Sequence, residues 1–571
     1  MSGDTTKPLH KNESIKVESN FLRGTILEGL ANTLSGTISA DDAQLTKFHG
    51  TYVQDDRDQR SERRKKRLDK AYSFMIRVRV PGGVSTSAQW LEMDRLSDTF
   101  ANGTLKLTTR QAFQFHGVLK HNLKQTMKEI NDSLLDTIAA CGDVNRNVMC
   151  NPNPYQSAAH ATAQELSEAL SAHLTPQTGA YREIWLDGEK VAGGEEVEPI
   201  YGKTYLPRKF KIVVAVPPSN DVDIYAHDLG YITILKDDKV IGYNVTVGGG
   251  MGTTHGNAET HPRLADMVGF CTPEDAVALA EAVVTTQRDF GDRTNRAHAR
   301  LKYTIKDRGI DWFRGEVEKR LGKKLQEPAE FKFDHTGDRY GWVEGADKKW
   351  HLTLFIQSGR VLDTPDFQMK TGLREIAKVH KGDFRLTCNQ NLIIGGVAAK
   401  DKDRIQAMAE EFGLLRGLES GGLRRNSMAC VALPTCGLAL AESERYLPEL
   451  VTEIEAELTK LGLRDDEIVI RMTGCPNGCA RPFIAEIGLV GKAPGKYNLY
   501  LGAAFDGSRL ARLHTMSVPV AKIIPILQPF LARYKEERES GEHFGDFCMR
   551  VGIVEPWDES MNYHEPIAGK A

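Results

Sequence analysis

An internal duplication limits the folds open to this chain more than any other feature of its sequence. Lys106-Leu-Thr-Thr-Arg-Gln111 returns 279 positions later as Arg385-Leu-Thr-Cys-Asn-Gln390, and an apolar run ending in Gly-Val follows each segment. The same offset carries Arg146-Asn-Val-Met149 onto Arg425-Asn-Ser-Met428. This period is far longer than the roughly 20–50 residues of a solenoid repeat. We therefore predict two homologous halves related by a pseudo-two-fold axis, with shared sites at their junction.

The repeat register also exposes an asymmetry between the halves. Cys430 and Cys436 of the second half correspond to Asn151 and Ser157 of the first. Because only one half carries these thiols, the register predicts one metal site and not two.

Four cysteines form two pairs near the C-terminal end. Cys430 and Cys436 have C-x5-C spacing, and Cys475 and Cys479 follow as C-x3-C within Gly-Cys-Pro-Asn-Gly-Cys. Four thiolates brought together from two loops can hold an iron–sulfur cluster or a structural zinc. Zinc knuckles typically use tighter C-x2-C or C-x4-C spacing, so the spacing favours a cluster and leaves zinc as the alternative.

Composition excludes several classes of protein. The 571 residues carry 74 basic and 77 acidic side chains, a net charge of −3 that indicates no nucleic-acid partner. No apolar run approaches the ~18 residues of a membrane span, and the first 20 residues lack the apolar core of a signal peptide. Nine cysteines without a disulfide framework favour a reducing compartment, so we expect a cytoplasmic protein.

Secondary-structure patterns are mixed. Alternation predicts strands at Phe74–Val80 and Phe210–Val216, and helical periodicity predicts helices over 266–288, 370–380, 402–413 and 445–462. No G-x-G-x-x-G fingerprint joins a strand to a helix, so the pattern indicates no Rossmann nucleotide site. The glycine-rich segment 248–252 lacks a following helix and is interpreted as a tight turn.

Two groups of basic residues stand out. Eight basic residues lie between Arg57 and Lys70, either as a solvated helix or linker, or as a dock for an acidic partner or ligand. The second group is spread over strands and loops of the first half. It comprises Arg77, Arg110, Arg146, Arg208, Lys209 and Lys211. Basic residues on core-facing strands are costly unless an anion compensates them, so together they suggest an anionic cofactor, an anionic substrate, or both.

These motifs together resemble the sirohaem-dependent sulfite and nitrite reductases. The resemblance rests on the duplication, the two cysteine pairs with their flanking residues, Leu-Thr-x-Arg-Gln, Asn-Arg-Asn and Pro-Arg-Lys-Phe-Lys, and it covers about 18–552. It implies an α+β fold with two ferredoxin-like half-domains and two sirohaem-binding α/β domains. The implied boundaries are 1–70 for a basic N-terminal extension, 71–140 and 336–418 for the ferredoxin-like half-domains, 141–335 for the first sirohaem-binding domain, and 419–571 for the second, with the cluster.

The resemblance also implies cofactors and site residues. One 4Fe-4S cluster would be held by Cys430, Cys436, Cys475 and Cys479, and Cys479 would also be the axial ligand of the sirohaem iron. The substrate-binding cations would be Arg77, Arg146, Lys209 and Lys211. The sirohaem contacts would include Arg110, His116, Arg208 and Asn477, although His116 in Phe-Gln-Phe-His-Gly fits a core histidine equally well.

The implied activity is the six-electron reduction of sulfite to sulfide in assimilatory sulfate reduction and cysteine biosynthesis. The chain has no recognisable flavin or NADPH motif, so electrons must come from another protein, which in the NADPH-type enzymes is a diflavin reductase subunit. Three alternatives remain open, one of them a non-catalytic anion-binding scaffold, which the duplication alone also fits. A ferredoxin-dependent sulfite or nitrite reductase would share every motif, and a zinc-stapled binding protein would have the cysteines without catalysis.

Overall fold

The computed structural model describes residues 7–152, 157–179, 184–186, 189–192, 198–365, 367–558 and 561–566. Residues 1–6 and 567–571, at the ends of the predicted first and last domains, lie outside this range. No helix in the described part of the chain is both long and apolar enough to cross a membrane.

The secondary structure alternates between strands and helices along the chain. The strands are β1 Thr51–Asp55, β2 Tyr72–Val78, β3 Val84–Thr86, β4 Leu105–Leu107, β5 Phe113–Val118, β6 Met149–Cys150, β7 Ile184–Leu186, β8 Glu189–Ala192, β9 Ile212–Ala215, β10 Leu229–Lys236, β11 Lys239–Val247, β12 Asp266–Cys271, β13 Gly341–Glu344, β14 Trp350–Leu354, β15 Arg360–Val361, β16 Asp363–Thr364, β17 Phe367–Gln368, β18 Asp383–Leu386, β19 Leu392–Val397, β20 Ser427–Ala429, β21 Ile470–Thr473, β22 Ile487–Ala493, β23 Lys496–Leu501 and β24 Arg512–Pro519. The helices are α1 Lys11–Glu18, α2 Ile26–Ala31, α3 Asp42–Leu45, α4 Arg60–Lys65, α5 Ser87–Phe100, α6 Leu123–Asp132, α7 Ala158–His173, α8 Ala276–Phe290, α9 Leu301–Arg308, α10 Ile310–Leu321, α11 Met369–Val379, α12 Lys402–Glu411, α13 Gly422–Arg425, α14 Leu447–Lys460, α15 Val520–Glu537 and α16 Phe544–Arg550.

Two five-stranded mixed sheets repeat the same topology in the two halves. The order is β12-β11-β10-β9-β6 in the first half and β24-β23-β22-β21-β20 in the second. In each sheet the three strands at one end are parallel, and the last two are antiparallel. This agreement confirms the predicted duplicated α+β architecture.

The two ferredoxin-like sheets exchange a strand. Their orders are β1-β2-β5-β4-β15 and β13-β14-β19-β18-β3, so each sheet takes its last strand from the other half. Arg360 of β15 pairs with Lys106 of β4, and Thr86 of β3 pairs with Asp383 of β18. The first sheet also takes its edge strand β1 from the segment predicted as an N-terminal extension. The exchange ties the halves together through backbone hydrogen bonds.

The two ferredoxin-like half-domains share one apolar core. On β2, Ile76 and Val78 are fully buried, as is Val80 just beyond it, while Arg77 and Arg79 point the other way as the alternation predicts. This core continues into the second half, and it includes a stacked pair of rings from α5 and β18, Trp90 and Phe384, whose centroids are 4.8 Å apart.

Three of the four predicted helices are confirmed, as α11, α12 and α14, and the fourth is partly wrong. Residues 266–271 form strand β12, and helix α8 begins only at Ala276. The reason is that an apolar edge strand runs directly into an apolar helix, so periodicity over the combined window resembled one long helix. Pro273 at the start of the intervening 3-10 turn marks the true boundary.

Candidate active site

The cysteine loops begin at the carboxyl ends of two neighbouring parallel strands. Cys430 directly follows β20, and Cys475 follows β21 after one glycine. The carboxyl ends of parallel strands meet at the same edge of a sheet, which is where α/β folds typically place their ligands. The backbone N–H of Cys430 donates to the carbonyl of Met472 (3.2 Å), which fixes the two loops side by side.

Two glycines allow the loops to approach this closely. A Cβ on Gly474 would lie 2.6 Å from the Ala432 side chain and from the Ala441 carbonyl. Gly478, between Cys475 and Cys479, has a φ of +62°, a conformation that a residue with a Cβ rarely adopts.

The four thiols fit a cluster better than a single ion. Burial raises the pKa values of Cys430 and Cys436 and raises that of Cys475 to about 11, and the charges of the neighbouring thiols raise them further. Cys479 therefore lies within electrostatic reach of each of the other three thiols. Yet among the described residues no group of three or more His, Cys, Asp or Glu side chains could hold one metal ion. The C-x5-C and C-x3-C spacing of the four cysteines suits a cubane cluster, which is larger than a single zinc ion.

Hydrogen-bond donors surround the thiols. The Gly474 N–H donates to the Cys430 sulfur (3.3 Å), and the Asn477 amide donates to the Cys475 sulfur (3.4 Å). Such donors stabilise thiolates and tune a cluster's potential. Asn477 therefore contacts a predicted cluster ligand directly, in addition to its predicted place near the sirohaem.

The Asn-Arg-Asn segment organises the neighbouring basic loops. The Asn147 side chain exchanges hydrogen bonds with the backbone of Val80 and donates to the carbonyls of Arg110 (2.9 Å) and Gln111 (3.1 Å). The Arg146 N–H donates to the Phe210 carbonyl (2.9 Å), which holds Lys209 and Lys211 beside this segment. One short segment thus places three of the predicted basic loops against each other.

Lys209 and Lys211 are the least compensated cations of the site. Both are half-buried, and within the described residues neither ammonium has a hydrogen-bond or ion-pair partner. Burial, with the adjacent cations Arg208 and Arg300, lowers the pKa of Lys209 to about 7. Burial and Lys209 itself lower the pKa of Lys211 well below its usual value. Cations that lie close together repel each other, so a bound anion would stabilise them.

Cys479 and several of the cations act on one another electrostatically. Cys479, the exposed member of the four, lies near enough to Lys209 for its charge to favour the ammonium, and Arg146 lies near enough to oppose it. Arg110 acts on Lys211 in the same way. The predicted axial ligand and the predicted substrate cations are therefore brought to one place.

Arg77, Arg110 and Arg208 retain unused hydrogen-bonding capacity. The buried Nε atoms of Arg77 and Arg110 have no partner in the described part of the chain, although each guanidinium is anchored by its other end. Arg77 donates to the Cys141 sulfur (2.9 Å), and Arg110 donates to the carbonyls of Asn147 (2.7 Å) and Ile212 (3.0 Å). Burial lowers the pKa of Arg208 to about 10, with Arg296 adding to the effect. Buried orphaned donors are costly, so these groups fit a ligand rich in carboxylates.

Sequence reasoning missed two neighbours of these cations, Tyr52 and Lys47. The Tyr52 phenol lies among Cys141, Arg146 and Arg77, and burial raises its pKa. The Lys47 ammonium lies over the Tyr52 ring, 5.5 Å from its centroid, and burial lowers the pKa of Lys47 to about 8. Tyr52 and Lys47 belong to the segment interpreted as an extension, and the one signal that could have found Tyr52 is the short strand-like run 51–55.

His116 lies in the core, which favours the core-histidine interpretation. It is 1% exposed, and its two ring nitrogens meet Gln114 (3.2 Å) and Arg360 (3.4 Å). Burial, with Arg360 adding to it, lowers the pKa of His116 well below its usual value, so the ring is neutral. Beside it, the Glu444 carboxylate accepts from Lys106 (2.7 Å) and Arg360 (2.7 Å). The Glu444 N–H donates to the Cys430 carbonyl (3.1 Å). The network of Lys106, Glu444 and Arg360 therefore supports the loop that carries Cys430.

The glycine-rich segment 248–252 is a turn that packs against the second cysteine loop. The Thr253 N–H donates to the Pro476 carbonyl (2.9 Å), and a Cβ on Gly252 would lie 3.2 Å from the Asn477 carbonyl. No helix follows this segment, as predicted; the next element is β12.

The N-terminal basic stretch reaches the first cysteine loop. Arg57 donates to the carbonyls of Cys436 (3.2 Å) and Ala439 (2.5 Å), and its N–H donates to the Pro434 carbonyl (3.1 Å). Helix α4 begins three residues later, and most of its side chains are exposed. The sequence left two interpretations of the stretch that begins at Arg57, a solvated helix or linker and a dock for an acidic partner or ligand. In the structure Arg57 itself binds the backbone of the first cysteine loop.

Comparison with known proteins defines the class. The model of the nitrite/sulfite reductase ferredoxin-like half domain matches residues 66–133 and 343–412, and the model of the nitrite and sulphite reductase 4Fe-4S domain matches 166–325. The chain belongs to the nitrite and sulphite reductase family. The 4Fe-4S domain match falls in the half that lacks the four cysteines, so the cluster assignment depends on the cysteines themselves.

Individual relatives are similar over nearly the whole chain. The sulfite reductase (NADPH) hemoprotein beta-component of Staphylococcus saprophyticus is 58% identical over 97% of this chain and 98% of its own length. The protein of the same name from Methylorubrum extorquens is 61% identical over 98% and 92%. Among solved structures, the Mycobacterium tuberculosis NirA protein aligns with a TM-score of 0.78 and 26% identity over 96% of this chain and 98% of that one.

Proposed function

We propose that this chain reduces sulfite to sulfide as the haemoprotein (beta) component of an NADPH-dependent assimilatory sulfite reductase. Two observations carry the proposal. The half-buried Lys209 ammonium, which has no partner among the described residues, lies within electrostatic reach of the exposed Cys479. The Thr109 hydroxyl donates to the Cys479 carbonyl (3.1 Å), which places the Cys479 loop next to Arg110. The name of the relatives at about 60% identity supports the same activity. Zinc binding without catalysis would leave these cations without a role.

The residues present fit a 4Fe-4S cluster and a sirohaem. Cys430, Cys436, Cys475 and Cys479 would hold the cluster, with Cys479 also facing the sirohaem iron. Arg110, Arg208 and Asn477 would contact the sirohaem; Arg suits its carboxylates because the guanidinium can pair with them bidentately. When bound, the two cofactors would supply electrons one at a time to the sulfur of sulfite. A thiolate ligand of the iron would assist this electron transfer.

The predicted substrate-binding cations would bind sulfite and protonate it. Sulfite is a compact anion, and Arg77, Arg146, Lys209 and Lys211 would stabilise both its charge and the charge that develops as S–O bonds break. A general acid works best when its pKa lies near the operating pH. Burial lowers the pKa of Lys209 to about 7 in the chain without a bound anion, and the charge of bound sulfite raises it again. Lys209 would therefore bind sulfite as an ammonium and can donate its proton to a departing oxygen.

We further propose a diflavin NADPH reductase as electron donor and the cytoplasm as location. All nine cysteines are free thiols, which suits a reducing compartment. An acidic flavoprotein surface would be complementary to helix α4, whose last turn is entirely basic. The exposed Leu438, two residues after the cluster ligand Cys436, adds an apolar contact beside that helix's anchor, Arg57.

An absorption spectrum and an assay test the function. The purified chain should show the Soret and long-wavelength bands of a sirohaem, and it should produce sulfide from sulfite with a reduced viologen. A colourless protein that binds zinc would contradict the proposal. Addition of NADPH with a diflavin reductase, or of reduced ferredoxin in parallel, then identifies the donor, and activity with ferredoxin alone would favour the ferredoxin-dependent alternative.

A charge-reversal pair tests the docking surface. Arg64→Glu with Lys65→Glu inverts two exposed cations of α4, and we expect the KM for the flavoprotein to rise about tenfold at low salt, with the viologen rate unchanged. Lys236→Glu with Lys239→Glu, on the exposed β10–β11 hairpin, makes the same change in net charge and should leave both rates unchanged. An equal loss of activity with the flavoprotein and with the viologen in the α4 variant would contradict docking at α4.

A further inference from the structure

One arginine outside the predicted site joins four loops at the centre of the molecule. Arg481 is 3% exposed and lies two residues after Cys479. Its guanidinium donates to the carbonyls of Thr109 (2.9 Å) and Cys388 (2.9 Å), and its Nε donates to the Asp223 carboxylate. A single side chain therefore binds both ferredoxin-like repeats and both mixed sheets.

The partners of Arg481 are related by the duplication. Thr109 and Cys388 are 279 residues apart and occupy the same place in Leu-Thr-x-x-Gln of the two repeats. Asp223 and Arg481 are themselves equivalent, since each precedes a 3-10 turn at the same point between strands and each has a positive φ, +53° and +52°. The Asp223–Arg481 pair thus spans the pseudo-two-fold axis.

This position connects the exposed thiol to the cations. The Thr109 hydroxyl donates to the Cys479 carbonyl (3.1 Å), and Thr109 directly precedes Arg110. Arg481 holds the backbone of Thr109 from one side and the Cys479 loop from the other. Two contacts at Thr109 therefore set the distance between the loop that presents Cys479 and the loop that presents Arg110: the Arg481 guanidinium binds its carbonyl, and its hydroxyl binds the Cys479 carbonyl.

We propose that Arg481 is a positioning residue that fixes the Cys479 loop against the cation-bearing loops of the first half. Its role in catalysis rests on the proposed function, but its role in holding the loops does not. A planar guanidinium reaches two carbonyls and a carboxylate from three separate nitrogens in a fixed fork, whereas a lysine presents its three donors from a single atom. The fork geometry, and not the charge alone, is what the position requires.

Arg471 provides a matched control. It is 4% exposed and binds the same carboxylate through two hydrogen bonds to Asp223, of 2.7 and 3.1 Å. Loss of either arginine leaves Asp223 with the other as its counter-ion, so neither variant strands a buried carboxylate. Only Arg481 also reaches the carbonyls of Thr109 and Cys388.

The test compares Arg481→Gln, Arg481→Lys and Arg471→Gln in the full chain, as isolated with its cofactors. Amide hydrogen exchange is followed in peptides covering 107–112, 386–390 and 475–483. We expect about tenfold faster exchange in these peptides for both Arg481 variants, and no change for Arg471→Gln, although all three variants lower the unfolding midpoint. In sulfite reduction, the Arg481 variants should lose about tenfold in kcat with KM within twofold, and Arg471→Gln should retain both parameters.

Several outcomes would overturn the proposal. Wild-type exchange in Arg481→Gln would show that the loops hold without this residue, and full rescue by Arg481→Lys would show that charge alone suffices. Equal exchange and kcat changes in Arg471→Gln would reduce the effect to general stability. If neither Arg481 variant folds, Thr109→Val is measured instead, because it removes the hydroxyl bond to the Cys479 carbonyl. Unchanged exchange in the 475–483 peptide would then refute the proposed connection between the Thr109 loop and the Cys479 loop. A wild-type chain without sirohaem bands would refute the proposed function alone, because the exchange comparison stands without it.

Discussion

The two mixed sheets have one topology but opposite chemistry at their loops. Met149 and Met428 are equivalent at the offset of 279. Met149 lies opposite Val213 in the first sheet and Met428 lies opposite Arg471 in the second, so the strands β9 and β21 are related by a different offset, 258. Under these offsets the thiol positions of the second half correspond to non-thiol residues of the first. Three cation positions of the first half correspond to acidic or apolar residues of the second, whereas Arg146 corresponds to another arginine, Arg425. Cys430, Cys436, Cys475 and Cys479 correspond to Asn151, Ser157, Pro217 and Asp221, and Arg208, Lys209 and Lys211 correspond to Asp466, Glu467 and Val469.

The difference shows that the fold does not require either set. The Asn151 side chain binds the backbone at Val216 (2.8 Å) and Ser219 (3.2 Å), and the Ser157 hydroxyl caps helix α7 through the His160 N–H (3.3 Å). Polar side chains thus replace a cluster as the support of these loops. Each half could therefore specialise, one supplying thiolates and the other supplying cations to the same junction.

The largest effect is expected from Cys479→Ser, which removes the thiolate that faces the cations. Sulfite reduction should fall by at least about 100-fold, because the proposed link between cluster and sirohaem is lost while the other three ligands remain. Sulfide production with a viologen donor measures the loss, and absorption and iron content report which cofactors stay bound. Full activity with both cofactors bound would refute the bridging role of Cys479.

A smaller but still large effect is expected at Lys209. Lys209→Met should lower kcat/KM for sulfite about 100-fold, since a cation that stabilises developing charge is removed. Lys209→Arg keeps the charge and should retain more activity, but it should lose the response to pH, because arginine does not deprotonate in this range. Activity in Lys209→Met within twofold of the wild type would remove Lys209 from the substrate site.

The lowered pKa of Lys209 determines the direction in which the stability of the folded chain changes with pH. In the chain without a bound anion its pKa is about 7, because of burial first and then Arg208 and Arg300, against 10.5 when unfolded. The unfolded chain therefore binds more protons between pH 7 and 10.5, so this group makes stability rise with pH across that window. An anion reverses the shift, and sulfite binding at pH 8 should take up a proton. Calorimetry in two buffers of different ionisation enthalpy measures the uptake, which Lys209→Arg should reduce.

The comparison of halves also explains what the sequence could and could not predict. The duplication, the four thiols and six cations were visible because each is a local pattern or a fixed offset. The strand exchange was not, since β3 and β15 are two or three residues long and pair with strands some 250 to 300 residues away. Arg481 was missed for the same reason: its partners Thr109, Asp223 and Cys388 are spread over the chain, and nothing local distinguishes it from a surface arginine.

The charged network behind Cys430 offers a test of stability. Burial would raise the pKa of Glu444, but Lys106 and Arg360 outweigh it and lower the pKa to about 2. Glu444→Gln should cost about 3–5 kcal/mol, because Lys106 and Arg360, paired directly across β4 and β15, would be left as uncompensated buried charges. In the wild type this stabilisation is present above pH 4.5 and is lost as the pH falls toward 2.

The Arg424–Glu455 pair is the control for this network. It lies in the same domain at 2.7 Å, with more exposed side chains, and Glu455→Gln should cost about 1 kcal/mol or less. Denaturant unfolding of both variants measures the difference. Equal costs would show that the Glu444 network is no more than an ordinary surface pair.

The smallest effect on function is expected from giving the first half two of the missing thiols. Asn151→Cys with Ser157→Cys should leave the iron content and the activity unchanged, because Pro217 and Asp221 stand where the other two ligands would be needed. Stability should fall by about 1–3 kcal/mol, since the Asn151 bonds and the α7 cap are lost. The reverse exchange, Cys430→Asn with Cys436→Ser, is the matched control and should abolish the cluster. Iron sufficient for a second cluster in the first variant would mean that the halves differ in fewer residues than the offsets indicate, and that the thiolate site can be rebuilt from one loop.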